Sequence, residues 1–306
     1  MSDLIAYSKG YCLELSDGNN WWITGDDENK KQIDKLTSIM KLQACPMNNS
    51  PKIIFSKTLE CNMPTGYKKH TTCEINSSND DTYWDIYDYK TLRIWYHNAI
   101  SDVICETMEN SDELAEYVIL WNSLMPIYWR STNMKGLPFH TGLAEYQGQG
   151  ALFAGCGGTG KSTCCRRLPD HWNPLCDDEA LIVLDRNNIY QVHPFPTWSD
   201  YILKRAENTW DVQYSVPLSA IFFIEQSSYD EVIPLNIPEA TMLITESSAQ
   251  VWNKFLSYMG TELKTKISQG LFNNAFNIAR IVPAFRLRVS LTGRFWEKVE
   301  KSIEKS

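Results

Sequence analysis

Gly150-Ala151-Leu152-Phe153-Ala154-Gly155-Cys156-Gly157-Gly158-Thr159-Gly160-Lys161-Ser162-Thr163 is the stretch that decides the fold class. A short apolar run reads as a buried strand, a glycine-rich loop follows, and a helix is predicted from about Lys161. The loop has the pattern Gly-x-x-x-x-Gly-Lys-Ser, and each part has a physical reason. Glycines let the backbone wrap a phosphate without side-chain clash, some of them at positive φ. Successive amide N–H groups then form an anion nest, and the helix adds its positive end. Lys161 supplies a charge for β- and γ-phosphates, and the Ser162 hydroxyl suits a magnesium ligand. The residues from Gly155 to Thr163 (Gly155, Cys156, Gly157, Gly158, Thr159, Gly160, Lys161, Ser162 and Thr163) are thus expected to hold ATP with Mg2+. The bland alternative is a glycine-rich turn with a chance Lys-Ser.

Downstream, Asp177-Asp178-Glu179 opens the apolar run 180–184, fifteen residues past Ser162. Three adjacent carboxylates repel one another unless a cation sits among them. Magnesium prefers carboxylate and phosphate oxygens together. One Asp, assigned as Asp178, is expected to share the metal with Ser162, while the other accepts a proton from an attacking hydroxyl. A solvated acidic turn is the alternative.

The rest of the chain bounds the class. Of 306 residues, 43% are apolar and 22% charged, ordinary values for a folded chain of one large or two modest domains. A net charge of -8 is a poor prior for non-specific nucleic-acid binding. No apolar run nears the roughly 20 residues of a membrane span, and the N-terminus lacks a signal-peptide pattern. A cytoplasmic location is expected, with no membrane partner. Nine cysteines without a Cys-x-x-Cys pair are read there as free thiols. Cys164 and Cys165 are read as packing residues.

Along the chain, residues 1–24 read as a hairpin turning at Asp17-Gly18, and 27–43 as a helix with Ile33, Leu36, Ile39 and Met40 on its apolar face. After a loop, 53–55 is a strand, 62–82 is turn-rich, and 82–89 and 91–96 are aromatic strands. Their aromatics read either as a strand core or as a peptide-binding surface. A helix over 111–126, capped by Ser111, is expected to use Leu114, Val118 and Leu120. The boundary is placed in 130–137, giving an accessory α+β domain at 1–132 and a catalytic domain at 133–306. In the second, 181–185 and 189–192 pair through a turn, 220–224 is a buried strand, and 247–260 and 265–280 are helices. A strand at 285–290 and a charged helix at 293–305 follow. Mixed strands and helices give an α/β (α+β) class.

The phosphate loop, the Asp-Asp pair and an upstream histidine, His140, resemble the catalytic domain of HPr kinase/phosphorylase. Gly158-Thr159-Gly160-Lys161 and Asp177-Asp178-Glu179 also resemble, more weakly, elements of phosphoenolpyruvate carboxykinase. A closer likeness is to the HPr-kinase-like proteins encoded with peptide-modifying enzymes, of the SynChlorMet cassette type ScmC. It rests on the loop, on Cys176-Asp177-Asp178-Glu179, on His193-Pro194-Phe195-Pro196-Thr197-Trp198-Ser199, on 216–225 and on 290–296. It covers about 137–300.

This resemblance implies a P-loop, HPr-kinase/carboxykinase-like core behind the smaller accessory domain. Asp177 would be the base, Lys161 the phosphate-binding cation and His140 the neighbour of Asp177. The acceptor would be a Ser/Thr hydroxyl of a ribosomally made peptide or protein, peptide-modifying enzymes would be partners, and the chain would assemble as a homo-oligomer. For His140 the alternative is a structural histidine at a domain join. The HPr-kinase signature downstream of the acids is not recognisable, so HPr itself and the phosphorylase reaction are not implied. The Pro-rich segment 193–199 stands near that place, either walling the acceptor site or packing a core. A module that binds ATP and a peptide without transfer is the competing function. A GTPase is disfavoured because Asn253-Lys254-Phe255-Leu256 lacks the closing Asp of a guanine motif. Among Arg166, Arg167, Lys204, Arg205, Arg280, Arg286, Arg288 and Arg294, the sequence does not choose a transition-state cation.

Overall fold

A computed structural model describes residues 9–57, 68–69, 83–97, 100–108, 113–203 and 209–304. Most of 62–82, Ser111, Lys204, Arg205, Cys61 and Cys73 lie outside the described residues. The chain forms a mixed α/β structure in two compact units. The first takes its residues from 1–15, 19–129 and 255–265, the second from 16–18, 130–254 and 266–306. The division near 129/130 is therefore not a single cut. Two short segments are exchanged, which a boundary read from local composition does not reveal.

In the first unit, β1 (Gly10–Glu14) and β2 (Asn20–Gly25) form the expected hairpin, with Leu13 opposite Trp21. A 3-10 turn (Asp27–Asn29) leads into α1 (Lys30–Ile39). The Asp26 carboxylate accepts from the Asn29 N–H at 2.9 Å, satisfying one of the amides a helix start leaves open. Ile33, Leu36 and Ile39 bury one face of α1, each worth about 1.5–3 kcal/mol of transfer free energy. The remaining strands are β3 (Gln43–Cys45), β4 (Lys52–Ser56), β5 (Lys68–Lys69), β6 (Tyr83–Asp88), β7 (Leu92–His97) and β8 (Ile100–Thr107). They give one sheet in the order β3-β1-β2-β4-β8-β7-β6-β5. Trp84, Tyr89 and Trp95 are buried, so these aromatics belong to the strand core.

Two expectations for this unit are corrected. The helix over 111–126 is broken into α2 (Glu113–Asn122) and α3 (Met125–Asn133). Pro126 lacks an N–H and is tolerated only in a first turn, so it begins α3 rather than continuing α2. Leu114 is exposed, while Ala115, Tyr117, Ile119 and Leu120 are buried. Nor are all cysteines thiols: Cys12 and Cys45 form a disulfide, with Cα atoms 5.9 Å apart. Antiparallel pairing of β1 with β3 sets Cys45 opposite Gly10 and Cys12 opposite Gln43, within bridging distance. Cys105, Cys156, Cys164, Cys165 and Cys176 remain free.

The second unit is built on β9 (Leu137–Tyr146), β10 (Gln149–Ala154), β11 (Trp172–Cys176), β12 (Glu179–Leu184), β13 (Tyr190–Pro194), β14 (Val216–Gln226), β15 (Glu231–Pro234) and β16 (Ala284–Val289). Their order is β10-β9-β12-β13-β14-β16-β15, with β11 also on β9. A parallel β10–β14 pairing closes β10, β9, β12, β13 and β14 into a ring. Ala151, Leu152, Phe153 and Ala154 of β10 are fully buried between β9 and β14, which is why that strand reads as a continuous apolar run.

Short α4 (Lys161–Arg167) and α8 (Trp296–Ile303) share one core with the sheet: Phe153, Phe222, Cys164, Cys165, Phe295 and Val299. The packing reading of Cys164 and Cys165 agrees with this. α5 (Trp198–Leu203), α6 (Ile237–Leu256) and α7 (Thr261–Ala279) complete the elements. α6 begins ten residues before the expected 247. Asn236 Oδ1 accepts from the Glu239 N–H at 2.9 Å, and Pro238 sits in the first turn, an N-terminal signal that periodicity alone missed. Among the described residues no helix is long and apolar enough to cross a membrane.

Candidate functional site

The glycine-rich loop leaves the end of β10 and enters α4 as the sequence predicts. Gly158 (φ +81°) and Gly160 (φ +102°) occupy left-handed backbone that side chains avoid, and a Cβ on either would meet nothing within 4 Å. They are needed for the path of the chain and leave open space beside it. Thr159 closes the loop internally, its hydroxyl donating to Cys156 O at 2.8 Å. Gln226, at the end of β14, braces it from outside by donating to Gly158 O at 3.2 Å.

Lys161 folds back into this loop, its Nζ donating to Gly155 O at 2.8 Å and to Cys156 O at 3.2 Å. Burial lowers the ammonium pKa, and Asp178 and Asp177 oppose that shift. The loop lysine and the acid pair, sixteen and seventeen residues apart, are thus within one electrostatic site. Ser162 is half-buried on the first turn of α4 and Thr163 is exposed. α4 has only seven residues, so the loop amides and Lys161, rather than the helix end, carry the positive potential.

The acids lie in the turn between β11 and β12. The Asp177 N–H donates to Thr197 Oγ1 at 3.0 Å. A Cβ built on Gly142 of β9 would lie 2.4 Å from Cys165 Sγ and 3.4 Å from Asp177 Oδ1, so β9 passes close beneath this turn. Asp178 is held by its own backbone, whose carbonyl accepts from the Thr141 N–H at 3.1 Å. Burial, with Glu179 next, pushes the Asp178 carboxyl up to about 6.

His140 stands opposite Glu179 in the β9–β12 ladder, and its Nδ1 is 3.4 Å from Asp178 Oδ1. The expected neighbour of Asp177 is therefore seated against Asp178. The register that sets His140 opposite Glu179 brings its ring to the preceding residue, Asp178, a relation that the 37 residues between His140 and Asp178 conceal. Burial, then the Lys161 charge, lowers His140 to about 4, so it is neutral at pH 7 and meets Asp178 as an uncharged imidazole.

The Pro-rich segment packs a core: Phe195 and Trp198 are buried, and Thr197 reaches back to Asp177. Sequence reasoning did not find Thr197 as a support of the acid turn, nor Lys254, whose Nζ pairs with the Glu179 carboxylate. Lys254 is 75 residues from Glu179 and carries no local motif. The arginines sort themselves by contact. Arg167 donates to Ser290 O at 2.7 Å and to Gly293 O and lies over Phe295, so the 290–296 segment anchors α4. Arg286 lines a cavity of about 140 Å³ with Gly155, Cys156, Thr159, Glu246 and Ser247, and pairs with Glu239 at 2.5 Å.

Among the described residues no group of three or more His, Cys, Asp or Glu side chains is arranged to hold a metal ion. The donors available are two carboxylates and one hydroxyl, Asp177, Asp178 and Ser162. That set fits magnesium in the form in which phosphate oxygens and water complete the shell, and does not fit a closed structural zinc site.

No match was found among curated proteins. The family model described as SynChlorMet cassette protein ScmC matches residues 103–304. That span contains the loop, the acid turn, His140, the Pro-rich segment and the α4 anchor, and the chain belongs to the ScmC family of SynChlorMet cassette proteins.

Proposed function

We propose that this chain is an ATP- and magnesium-dependent kinase with an HPr-kinase-like core, which passes a γ-phosphoryl group to a hydroxyl. The observation that carries the reading is the approach of the helix that follows the glycine loop to the acid turn, Cys165 and Asp177 both closing on Gly142 of β9, with the Asp178 and Asp177 charges acting on Lys161. The loop amides and Lys161 hold the triphosphate, and Lys161 must exchange its contacts with Gly155 O and Cys156 O for phosphate oxygens. Asp178 and Ser162 hold magnesium, which when bound neutralises phosphate charge. Asp177 accepts the acceptor's proton, held in orientation through its backbone by Thr197. His140, neutral, orients Asp178 without adding charge. By the resemblance, the acceptor is a Ser or Thr of a ribosomally made peptide or protein, handled with peptide-modifying partner enzymes in the cytoplasm.

The test is incubation with γ-labelled ATP, Mg2+ and candidate acceptors: free serine, HPr, and peptides encoded beside the gene. Label is expected to move to one acceptor. Asp177→Ala should lower the rate by about a hundredfold or more, the range for losing a general base. ATP binding without transfer to any acceptor would favour the alternative, an ATP-binding module that presents a peptide to other enzymes.

A further inference from the structure

Three carboxylates stand in succession at 177–179, and the reading above uses two. The third, Glu179, is the first residue of β12 and is almost wholly buried, its side chain 4% exposed. Its carboxylate is taken up by the Lys254 ammonium, itself only 18% exposed, from the last turn of α6. Burying two charges costs several kcal/mol each before their attraction is counted, and an apolar pair of similar volume commonly stabilises a fold as well or better. Packing alone is thus a weak reason for this pair to stand here. Its surroundings supply a stronger one. Glu179 is bonded in chain to Asp178 and faces His140 across the ladder. The charges of Glu179 and Lys254 bear on the Asp178 carboxyl, which His140 contacts at 3.4 Å, and the Asp178 charge bears in turn on Lys161.

We infer that Lys254 is a positioning residue of the phosphate site: by engaging Glu179 it withholds the third carboxylate, so that a divalent cation is held through Asp178 and Ser162 beside Lys161. The inference rests on the reading of this site as one for magnesium and a nucleotide. Left unengaged, Glu179 would add a further anionic donor next to Asp178 and compete for the cation. Engaged, it fixes a single position. The same contact joins α6 to β12, so the helix that walls the cavity with Glu246 and Ser247 is tied to the acid turn.

The experiment is Mn2+ binding to the full chain, followed by electron paramagnetic resonance with the β,γ-imido analogue of ATP present. Lys254→Met frees a carboxylate and should tighten Mn2+ by roughly tenfold; Glu179→Gln leaves an extra ammonium and should weaken it by a similar factor. The double variant, with both charges gone, should return to within about threefold of the unaltered chain. A pair serving only to hold the fold would move both single variants in the same direction, or neither, and either result overturns the inference. If Lys254→Met does not fold, as urea titration would reveal, Glu179→Gln and the double variant decide: no weakening in the first, or no recovery in the second, overturns it. Failure of the unaltered chain to bind Mn2+ with the analogue overturns the kinase reading as well. Normal binding there with unmoved variants removes this inference alone.

Discussion

Thr197 is buried, and its hydroxyl oxygen is the acceptor for the Asp177 N–H. Valine has nearly the same shape without that acceptor. Thr197→Val is expected to cost about 1–3 kcal/mol, the penalty of leaving a buried amide unpaired, read as a lowered urea midpoint. Thr197→Ser should restore most of it, and an unchanged midpoint in Thr197→Val would show that the hydroxyl does not hold the turn. On the kinase proposal, activity should fall with the valine variant too, since a small misplacement of a base slows transfer out of proportion to stability. The chemistry-bearing residues themselves were legible one by one. Gly155 to Ser162 form the strand–loop–helix turn that their spacing predicts, and Asp177 and Asp178 stand in the turn before β12. Thr197 and Lys254 were not legible, because a single hydroxyl or ammonium acquires its role only from what lies opposite it.

α4 is seven residues long, too short to persist in water on its own. It holds because Cys164 and Cys165 are buried and because Arg167, its last residue, is clamped. The guanidinium donates to Ser290 O and Gly293 O and covers the Phe295 ring at 5.2 Å. A lysine has one compact ammonium and cannot span two carbonyls while lying on a ring. Arg167→Lys is expected to cost about 1–2 kcal/mol, measured as a fall in thermal midpoint, and, on the kinase proposal, to weaken ATP binding, because the loop is anchored by this helix. A variant with an unchanged midpoint would remove the clamp from the account. The 290–296 string, legible in the sequence only as a family likeness, thereby receives a physical role. The same contrast holds for α2 and α3. A period of apolar residues predicted one helix, and Pro126 divided it, since the missing N–H and fixed φ act on the backbone whatever face the neighbours present.

His193 couples one ring to the stability of the second unit. It is fully buried, its Nε2 lies 3.2 Å from the Ser16 N–H, and its Nδ1 lies 2.9 Å from Val212 O. Nε2 therefore accepts and Nδ1–H donates, which is the neutral form, and burial lowers the pKa to about 4. In the unfolded chain an ordinary histidine titrates near 6.5. Between these values the unfolded state binds the extra proton, so this contribution is complete above about pH 6.5 and is lost as pH falls toward 4, up to about 3 kcal/mol. Urea midpoints of the intact chain should fall across that window, and His193→Gln should flatten the fall; equal slopes in both would rule it out. By itself, the sequence determined the mixed α/β class, the strand–loop–helix unit with its glycines, and the acids that follow, since these depend on backbone sterics and charge within a few residues. Only the tertiary structure decided that the helix after the glycine loop and the Asp177 turn both close on Gly142, that His140 sits against Asp178, that Lys254 engages Glu179, and that Cys12 is bridged to Cys45. Each of those is a contact between strands or helices distant along the chain, set by sheet register and helix packing, and no local pattern encodes which residue will be opposite which.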